Sequence, residues 1–388
     1  MTRPESLRLT LVAGEASGDV LGADLARALK QQHDDIELAG ITGPKMRAAG
    51  VTSWFDIEAL SVMGLTEVLR HLPRLIRLRK ALRQRVLEWP ADALITIDAP
   101  DFNLGLARQL HQRDMTTIHY VSPSVWAWRS GRIPKIARSL DQLLTLFPFE
   151  PALYHPFGLD ARFVGHPLAD ELAGGPDRSA AREQLQIHSE SPVIAFLPGS
   201  RDGELKRHMD LLAETAVTLR KDYPTADLVL LLTGERHRKL ALELAGTRLD
   251  RAGVRLLTGA TRTGLEAADV AVAASGTVTL ETFLLECPMV VFYKLAPTTF
   301  HLARSLKLVR SEFVALPNIL SGESLAPERL QQEATPVRLA ADVKAWLSDQ
   351  ARIEDYRRQA RQWRGRLAQQ AGHQAASAIL ERVYGKAA

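Results

Sequence analysis

The sequence predicts an α/β protein built from two Rossmann-like parallel-sheet domains and ending in helices. Three observations predict it. Short, uninterrupted apolar runs alternate with helical stretches in both halves of the chain, as strands covered on both faces do. The alternation fades once, over Leu168–Ala180, where Gly, Pro, Asp and Ser concentrate, and then restarts. The length, 388 residues, suits two domains rather than one.

Leu7–Ala13 is an apolar, β-rich run. It breaks at Gly14-Glu15-Ala16-Ser17-Gly18-Asp19, and a helix over Val20–Lys30 follows. Ala93–Asp98 is another buried strand, closed by Ala99-Pro100 and followed by a helix over Asp101–Gln112. Thr116–Val121 and Asp141–Phe147 are further strands. After the linker come strand Val193–Leu197, the turn Pro198-Gly199-Ser200-Arg201 and helix Glu204–Lys221. Strands Leu228–Leu232, Val254–Leu257 and Asp269–Ala274 follow, and Ser275-Gly276-Thr277 opens helix Val278–Glu286 before strand Met289–Tyr293. From about Ala340 only helix remains. The reading is therefore one α/β domain over 1–170, a second over 171–340, and C-terminal helices over 341–388 that pack back on an N-terminal domain, of this chain or of a partner copy. Two such domains facing across a cleft bind ligands at the C-terminal ends of their strands, which makes the cleft the expected active site.

Composition narrows the function. Hydrophobic residues at 46% and charged residues at 24% exclude a disordered or collagen-like chain. The lone Cys287 forms no internal bridge and suits a reducing compartment. The excess of 49 Lys+Arg over 45 Asp+Glu is too small to imply nucleic acid. The N-terminus lacks the pattern of a signal peptide, and no run reaches the roughly 18 apolar residues of a membrane span. A cytoplasmic protein is expected, one that can still lie on a membrane surface. No HExxH spacing, P-loop, GxGxxG or GxSxG occurs, so no metal or nucleotide cofactor is implied.

The candidate segments all fall at strand ends. The glycines around Glu15 and Ser17 permit a tight turn and leave helix amides for an anion or a sugar oxygen; the alternative is a plain turn with Ser17 as helix cap. Asp98 ends a buried strand, where a carboxylate needs a partner or a task, and general base for an attacking hydroxyl is one such task. Asp101 reads as a helix cap. In Tyr120-Val121-Ser122-Pro123-Ser124-Val125-Trp126-Ala127-Trp128-Arg129, the tryptophans either pack under the loop, stack on a sugar or anchor at lipid. Gly199 and Ser200 expose amides beside Arg201, whose guanidinium suits a diphosphate. The amides at Gly276 and Thr277 also favour a phosphate, and Glu281 suits the two hydroxyls of a ribose. Leu316-Pro317-Asn318 alone reads as a turn.

Met63–Leu87 interleaves Val68, Leu69, Leu72, Leu75, Ile76, Leu78 and Leu82 with seven Lys/Arg between Arg70 and Arg85. Pro73 suits a first helical turn, so a break is expected near Arg70–Leu72. The segment is either a helix packed on the sheet with a solvated basic face, or one lying on anionic lipid through Val68, Leu69, Leu72, Leu75 and Ile76.

Together these segments resemble the lipid-A-disaccharide synthase family, bacterial glycosyltransferases of the GT-B type. The matching stretches are Ala13-Gly14-Glu15-Ala16-Ser17-Gly18-Asp19, Ser61-Val62-Met63-Gly64, Ile97-Asp98-Ala99-Pro100-Asp101-Phe102-Asn103, Tyr120–Trp128, Phe163-Val164-Gly165-His166-Pro167, Leu197-Pro198-Gly199-Ser200-Arg201, Ser275-Gly276-Thr277 and Leu316-Pro317-Asn318-Ile319. The family pattern continues toward Pro-Glu-Leu-Leu-Gln; here it reads Pro327-Glu328-Arg329-Leu330-Gln331, so Arg329 departs and the role of Gln331 stays open. The resemblance implies that UDP-2,3-diacylglucosamine donates its sugar to 2,3-diacylglucosamine-1-phosphate with inversion, giving a β-1′,6 disaccharide phosphate and UDP. It implies Asp98 as base, with Glu15 or Asp101 assisting. Ser17, Gly199, Ser200, Arg201, Gly276, Thr277, Glu281 and Asn318 would serve the donor, and the departing diphosphate is stabilised without a metal. It also implies work at the inner face of the cytoplasmic membrane, against anionic phospholipid, by a homodimer with exchanged C-terminal helices. Competing readings are a UDP-sugar 2-epimerase on the same architecture and a non-enzymatic membrane-surface protein. Nucleic-acid binding ranks last, because the basic cluster is leucine-rich and lacks a known module.

Overall fold

The structure, a computed structural model, describes residues 6–60, 65–126, 130–187, 190–294 and 312–387, with backbone only for 65–71 and 386–387. The chain divides into two compact units: Met1–Asp170 with Arg366–Ala388, and Glu171–Gly365.

The first unit holds a seven-stranded parallel sheet. Its strands are β1 (Leu7–Ala13), β2 (Ile36–Thr42), β3 (Thr52–Asp56), β4 (Ala93–Ile97), β5 (Thr116–Tyr120), β6 (Gln142–Thr145) and β7 (Asp160–Phe163), in the order β3-β2-β1-β4-β5-β6-β7. The apolar runs read from the sequence are its centre: β4, β5 and β6 are buried at every position. Sequence reading passed over β2, β3 and β7. The last two lie at the edges and carry polar residues, so they lack a continuous apolar run. The helices are α1 (Ala16–Gln32), α2 (Pro44–Ala48), α3 (Leu65–Glu88), α4 (Pro100–His111), α5 (Ile133–Ala137), α6 (Pro151–Tyr154) and α7 (Pro167–Glu171).

The second unit carries β8 (Val193–Leu197), β9 (Asp227–Leu232), β10 (Val254–Thr258), β11 (Val270–Ala274), β12 (Met289–Tyr293) and β13 (Glu328–Leu330). Their order is β10-β9-β8-β11-β12-β13, again all parallel. Its helices include α8 (Arg178–Gln184), α9 (Asp202–Asp222), α10 (Glu235–Arg251), α11 (Thr261–Ala267) and α12 (Val278–Leu284).

In both sheets the strand order reverses beside the first strand, between β1 and β4 and between β8 and β11. An open parallel sheet binds ligands outside the carboxyl ends of the strands at such a reversal, because neighbouring connections leave in opposite directions and open a crevice.

Three local expectations change. Helix α1 begins at Ala16, four residues before Val20, so the Gly14–Asp19 stretch is mostly the first helical turn. Helix α3 runs through Pro73 with no break. Proline removes one backbone bond and crowds the preceding turn, but Pro73 is exposed, and the helix is held beyond it by the fully buried Leu82 and Val86. The helical C-terminus is divided between units. Pro336–Ser348 belongs with the second, whereas Ala371–Ala387 returns to the first and lies along α1. There Gln32 donates to the His373 carbonyl at 2.9 Å and accepts from Ser377 at 2.9 Å, over the buried Ala375, Ala376 and Ile379.

Candidate active site

At the strand-order reversal of the first unit stands the carboxylate of Asp98. Asp98 follows β4 directly, half-buried, and the Ser17 hydroxyl at the start of α1 donates to its Oδ2 at 3.4 Å. The backbone there is unusual. Asp98 has φ 51° and Ala99 φ 42°, two successive non-glycine residues in the left-handed region. Such residues cost on the order of 1–3 kcal/mol each and persist only where the surroundings hold them. Asn103, fully buried on α4, is the holder: its Nδ2 donates to the carbonyls of Asp98 at 2.8 Å and Ile97 at 3.1 Å. Gly14 is the clearance, since a Cβ at that position would come within 2.0 Å of the Ala99 Cβ. The turn is thus fixed from two places in the chain.

Ser17 is not the helix cap. Glu15 occupies that position and makes no side-chain capping bond, and both residues are exposed. The buried acid of the stretch is Asp19, whose carboxylate accepts from the amides of Gly43, Lys45 and Met46 at 2.9–3.0 Å and so closes the turn into α2. Asp101 points into solvent and pairs with Arg132 at 2.8 Å. Trp126 packs edge-on against Phe147 and Phe149 and donates to Glu150, the reading in which it lies under its loop. Trp128 and Ser61–Gly64 lie outside the described residues.

Sequence reasoning missed Glu150. It is 2% exposed and accepts from the amides of Leu146 and Phe147 as well as from Trp126. Burial pushes its carboxyl pKa up to about 7, against the pull of these donors.

In the second unit three segments meet. Gly199, at φ 109°, turns the chain out of β8. The Ser200 amide is not open, as sequence reading expected of it: it donates to Glu204 Oε2 at 3.0 Å, and the Arg201 amide donates to the same oxygen at 3.3 Å. The Arg201 side chain is 83% exposed and stands 3.6 Å from the same carboxylate. His208 on α9, whose pKa burial lowers against the pull of its backbone hydrogen bonds, secures the turn by donating from Nδ1 to the Pro198 carbonyl at 2.7 Å.

Beside it, after β11, Gly276 and Thr277 are exposed, and a Cβ at Gly276 would meet nothing within 4 Å. Among the described residues nothing fills this bend. Ser275 donates to the Val314 carbonyl at 3.2 Å, and Leu316 donates to Thr279 at 3.3 Å, which draws in the third segment. Asn318 is fully buried. Its amide donates to the Ala326 carbonyl and to Glu328 and accepts from the Ala326 amide, so it shapes the loop and presents nothing outward. Glu281 sits one turn into α12, its pKa raised by burial and by Glu171 and Glu266 against the pull of Arg262. Arg329, where the chain departs from the family pattern, makes a bidentate pair with Asp342, both bonds 2.7 Å.

Helix α3 has two characters. Leu82 and Val86 are wholly buried, whereas Leu72 and Ile76 are 45% and 55% exposed among the exposed Arg74, Arg77 and Lys80; Leu75 is half-buried. The side chains of Val68 and Leu69 lie outside the described residues. No described helix is long and apolar enough to cross a membrane. Among the described residues no three His, Cys, Asp or Glu side chains gather as metal ligands.

Comparison with known proteins fits this layout. Solved structures share the two-sheet architecture across nearly the whole chain. They include a putative UDP-N-acetylglucosamine 2-epimerase from Listeria monocytogenes (TM-score 0.64, 13% identity, covering 99% of this chain and 97% of that one). Another is the glycotransferase of kitacinnamycin (TM-score 0.62, 18% identity, covering 98% and 100%). At such identities the likeness is one of fold, the GT-B fold of glycosyltransferases. Sequence separates the readings. The lipid-A-disaccharide synthase of Xanthomonas campestris pv. campestris (strain 8004) is 47% identical over 380 residues, 98% of this chain and 87% of the relative. That of Xylella fastidiosa (strain M12) is 46% identical over 375 residues, 96% and 97% of the two chains. The family model described as Lipid-A-disaccharide synthetase matches residues 9–383. With its glycosyltransferase fold and its matched motifs at both strand-order reversals, the chain belongs to the lipid-A-disaccharide synthase family.

Proposed function

We propose that the chain transfers the sugar of UDP-2,3-diacylglucosamine to 2,3-diacylglucosamine-1-phosphate with inversion, releasing UDP and the β-1′,6 disaccharide phosphate. One observation carries the reading beyond family membership: each strand-order reversal is flanked by groups suited to one half of this reaction. In the first unit, Asp98 takes the proton of the acceptor's 6-hydroxyl as that oxygen attacks the anomeric carbon, and Ser17 orients its carboxylate. Glu15 and Asp101 flank the site, and with Asp101 paired to Arg132, Glu15 is the freer assistant.

In the second unit, Arg201 swings from Glu204 onto the diphosphate, and the amides at Gly276 and Thr277 take the remaining charge as UDP departs. Gly199 and Ser200 shape the cradle, Glu281 accepts from the ribose hydroxyls, and Asn318 acts through the loop it holds. Both substrates carry acyl chains, so the exposed apolar and basic face of α3 would meet the anionic inner surface of the cytoplasmic membrane. The same reading includes a homodimer; exchange of helix Ala371–Ala387 would keep its contacts with α1 and change only which copy supplies them.

The test is mass spectrometry of the product made from the two acylated glucosamine substrates. A disaccharide monophosphate with release of UDP is the expected result. UDP release with a free epimerised sugar and no disaccharide would select the epimerase reading instead.

A further inference from the structure

Outside the Asp98 turn, the first unit contains a second feature built for charge. A cavity of about 450 Å³ opens between α3, α4 and α5, and Arg79, Arg108, Arg132 and Lys135 all line it. Among the described residues its one carboxylate, Asp101, is already paired with Arg132. The described lining therefore carries more positive charge than negative.

Arg79 is the most committed member. Its guanidinium lies over the Phe102 ring, 5.0 Å from the centroid, and Nη2 donates to the Asp101 carbonyl at 3.2 Å. Its Nε is buried without a partner. Burial disfavours its charge, so a bound anion would relieve a cost already present. The helix opposite is shaped to admit it: a Cβ at Gly105, inside α4, would come within 2.7 Å of Arg79 Nη1. Glycine weakens a helix interior, and here the space it leaves is filled by a cation. The cavity runs along α4, the helix that starts immediately after Asp98 and Ala99.

We propose that this cavity seats the phosphate of the acceptor: a phosphate monoester bound by Arg79, Arg108 and Lys135 sets the acceptor sugar so that its hydroxyl reaches Asp98. The inference rests on the acceptor proposed above. A phosphate monoester carries close to two charges at neutral pH and accepts several charge-assisted bonds, which matches a site with one half-buried and two exposed cations.

The test measures kcat/KM for the phosphorylated acceptor and for its dephosphorylated analogue, in detergent micelles free of phospholipid. The wild-type protein prefers the phosphorylated form. Arg108→Gln/Lys135→Gln loses that preference by on the order of tenfold or more, with KM for the UDP-sugar unchanged. Gly105→Ala, which favours the helix while displacing Arg79, gives the same selective loss in a folded protein. Undiminished discrimination in folded variants overturns the proposal. So does a loss confined to binding of phosphatidylglycerol vesicles, which would make the cavity a lipid-headgroup site. A wild-type protein that forms no disaccharide fails the proposed function as well. Normal wild-type turnover with unaltered discrimination in the variants fails only the phosphate seat.

Discussion

The Asn103 side-chain amide donates to the Asp98 carbonyl at 2.8 Å, across the turn between β4 and α4. That bond, with a second to Ile97 at 3.1 Å, holds two consecutive left-handed residues in place. A simple strand-to-helix connection requires no such strain. In the turn so held, the Asp98 carboxylate accepts from the Ser17 hydroxyl at 3.4 Å.

Replacing Asp98, the proposed base, tests that geometry directly. Asp98→Ala should lower kcat by about 10²–10⁴, the usual contribution of a positioned base. UDP affinity, measured by calorimetry, should stay within experimental scatter of the wild type. Near-normal turnover would take Asp98 out of the base role.

Asn103→Ala should act through the same turn from beneath. Removing the amide leaves buried carbonyls without their donor, which costs about 1–3 kcal/mol. The expected signature is a lowered urea midpoint together with a fall in kcat larger than any change in KM. A variant that loses stability and keeps full kcat would show that Asp98 needs no such support.

What could be read in the sequence follows from how far each feature depends on distant residues. The central strands are continuous apolar runs and can be read locally, as Ala93–Ile97 was. Asp98 was legible because a carboxylate closing such a run stands out. Its left-handed backbone was not, because that depends on Asn103 from the next helix and on the absence of a side chain at Gly14. Glu204 shows the same limit. Four residues beyond Ser200 it looks like an ordinary first-turn acid, yet its carboxylate occupies the amides that a phosphate would use. Asp19 resembled the end of a ligand-binding motif and is a structural acceptor for three amides of α2 and its cap.

On the proposed donor side the exposed Arg201 is the residue to replace. Arg201→Ala should weaken UDP by about tenfold, the worth of one or two charge-assisted bonds at an accessible site. Calorimetric titration with UDP alone is sufficient to see it. Unchanged affinity would place the diphosphate clamp on other residues.

The face of α3 can be tested without disturbing the core. Leu72→Ser/Leu75→Ser/Ile76→Ser changes two exposed residues and one half-buried one, whereas Leu82 and Val86, which anchor the helix, stay intact. Flotation with phosphatidylglycerol vesicles should fall several-fold while the thermal midpoint moves little. Retained vesicle binding would make the segment an ordinary packed helix with a solvated basic face.

Glu150 supplies a pH dependence whose sign can be worked out in advance. Burial raises its carboxyl from the ordinary 4.5 to about 7, so the folded protein binds the proton more tightly than the unfolded chain. Between those values the folded state holds more protons, and stability therefore declines as pH rises. The contribution is complete below about pH 4.5 and is lost as pH climbs through 7; for a shift of this size it is on the order of 3 kcal/mol. Because the same carboxylate accepts from Trp126 and from the amides after β6, its ionisation loads the loop that follows β5. Glu150→Gln cannot ionise. The difference between wild-type and variant urea midpoints should therefore shift against the wild type from pH 5 to pH 8, whatever the offset that the amide itself introduces. A difference that stays constant across that range would mean that Glu150 is charged throughout and that its hydrogen bonds outweigh its burial.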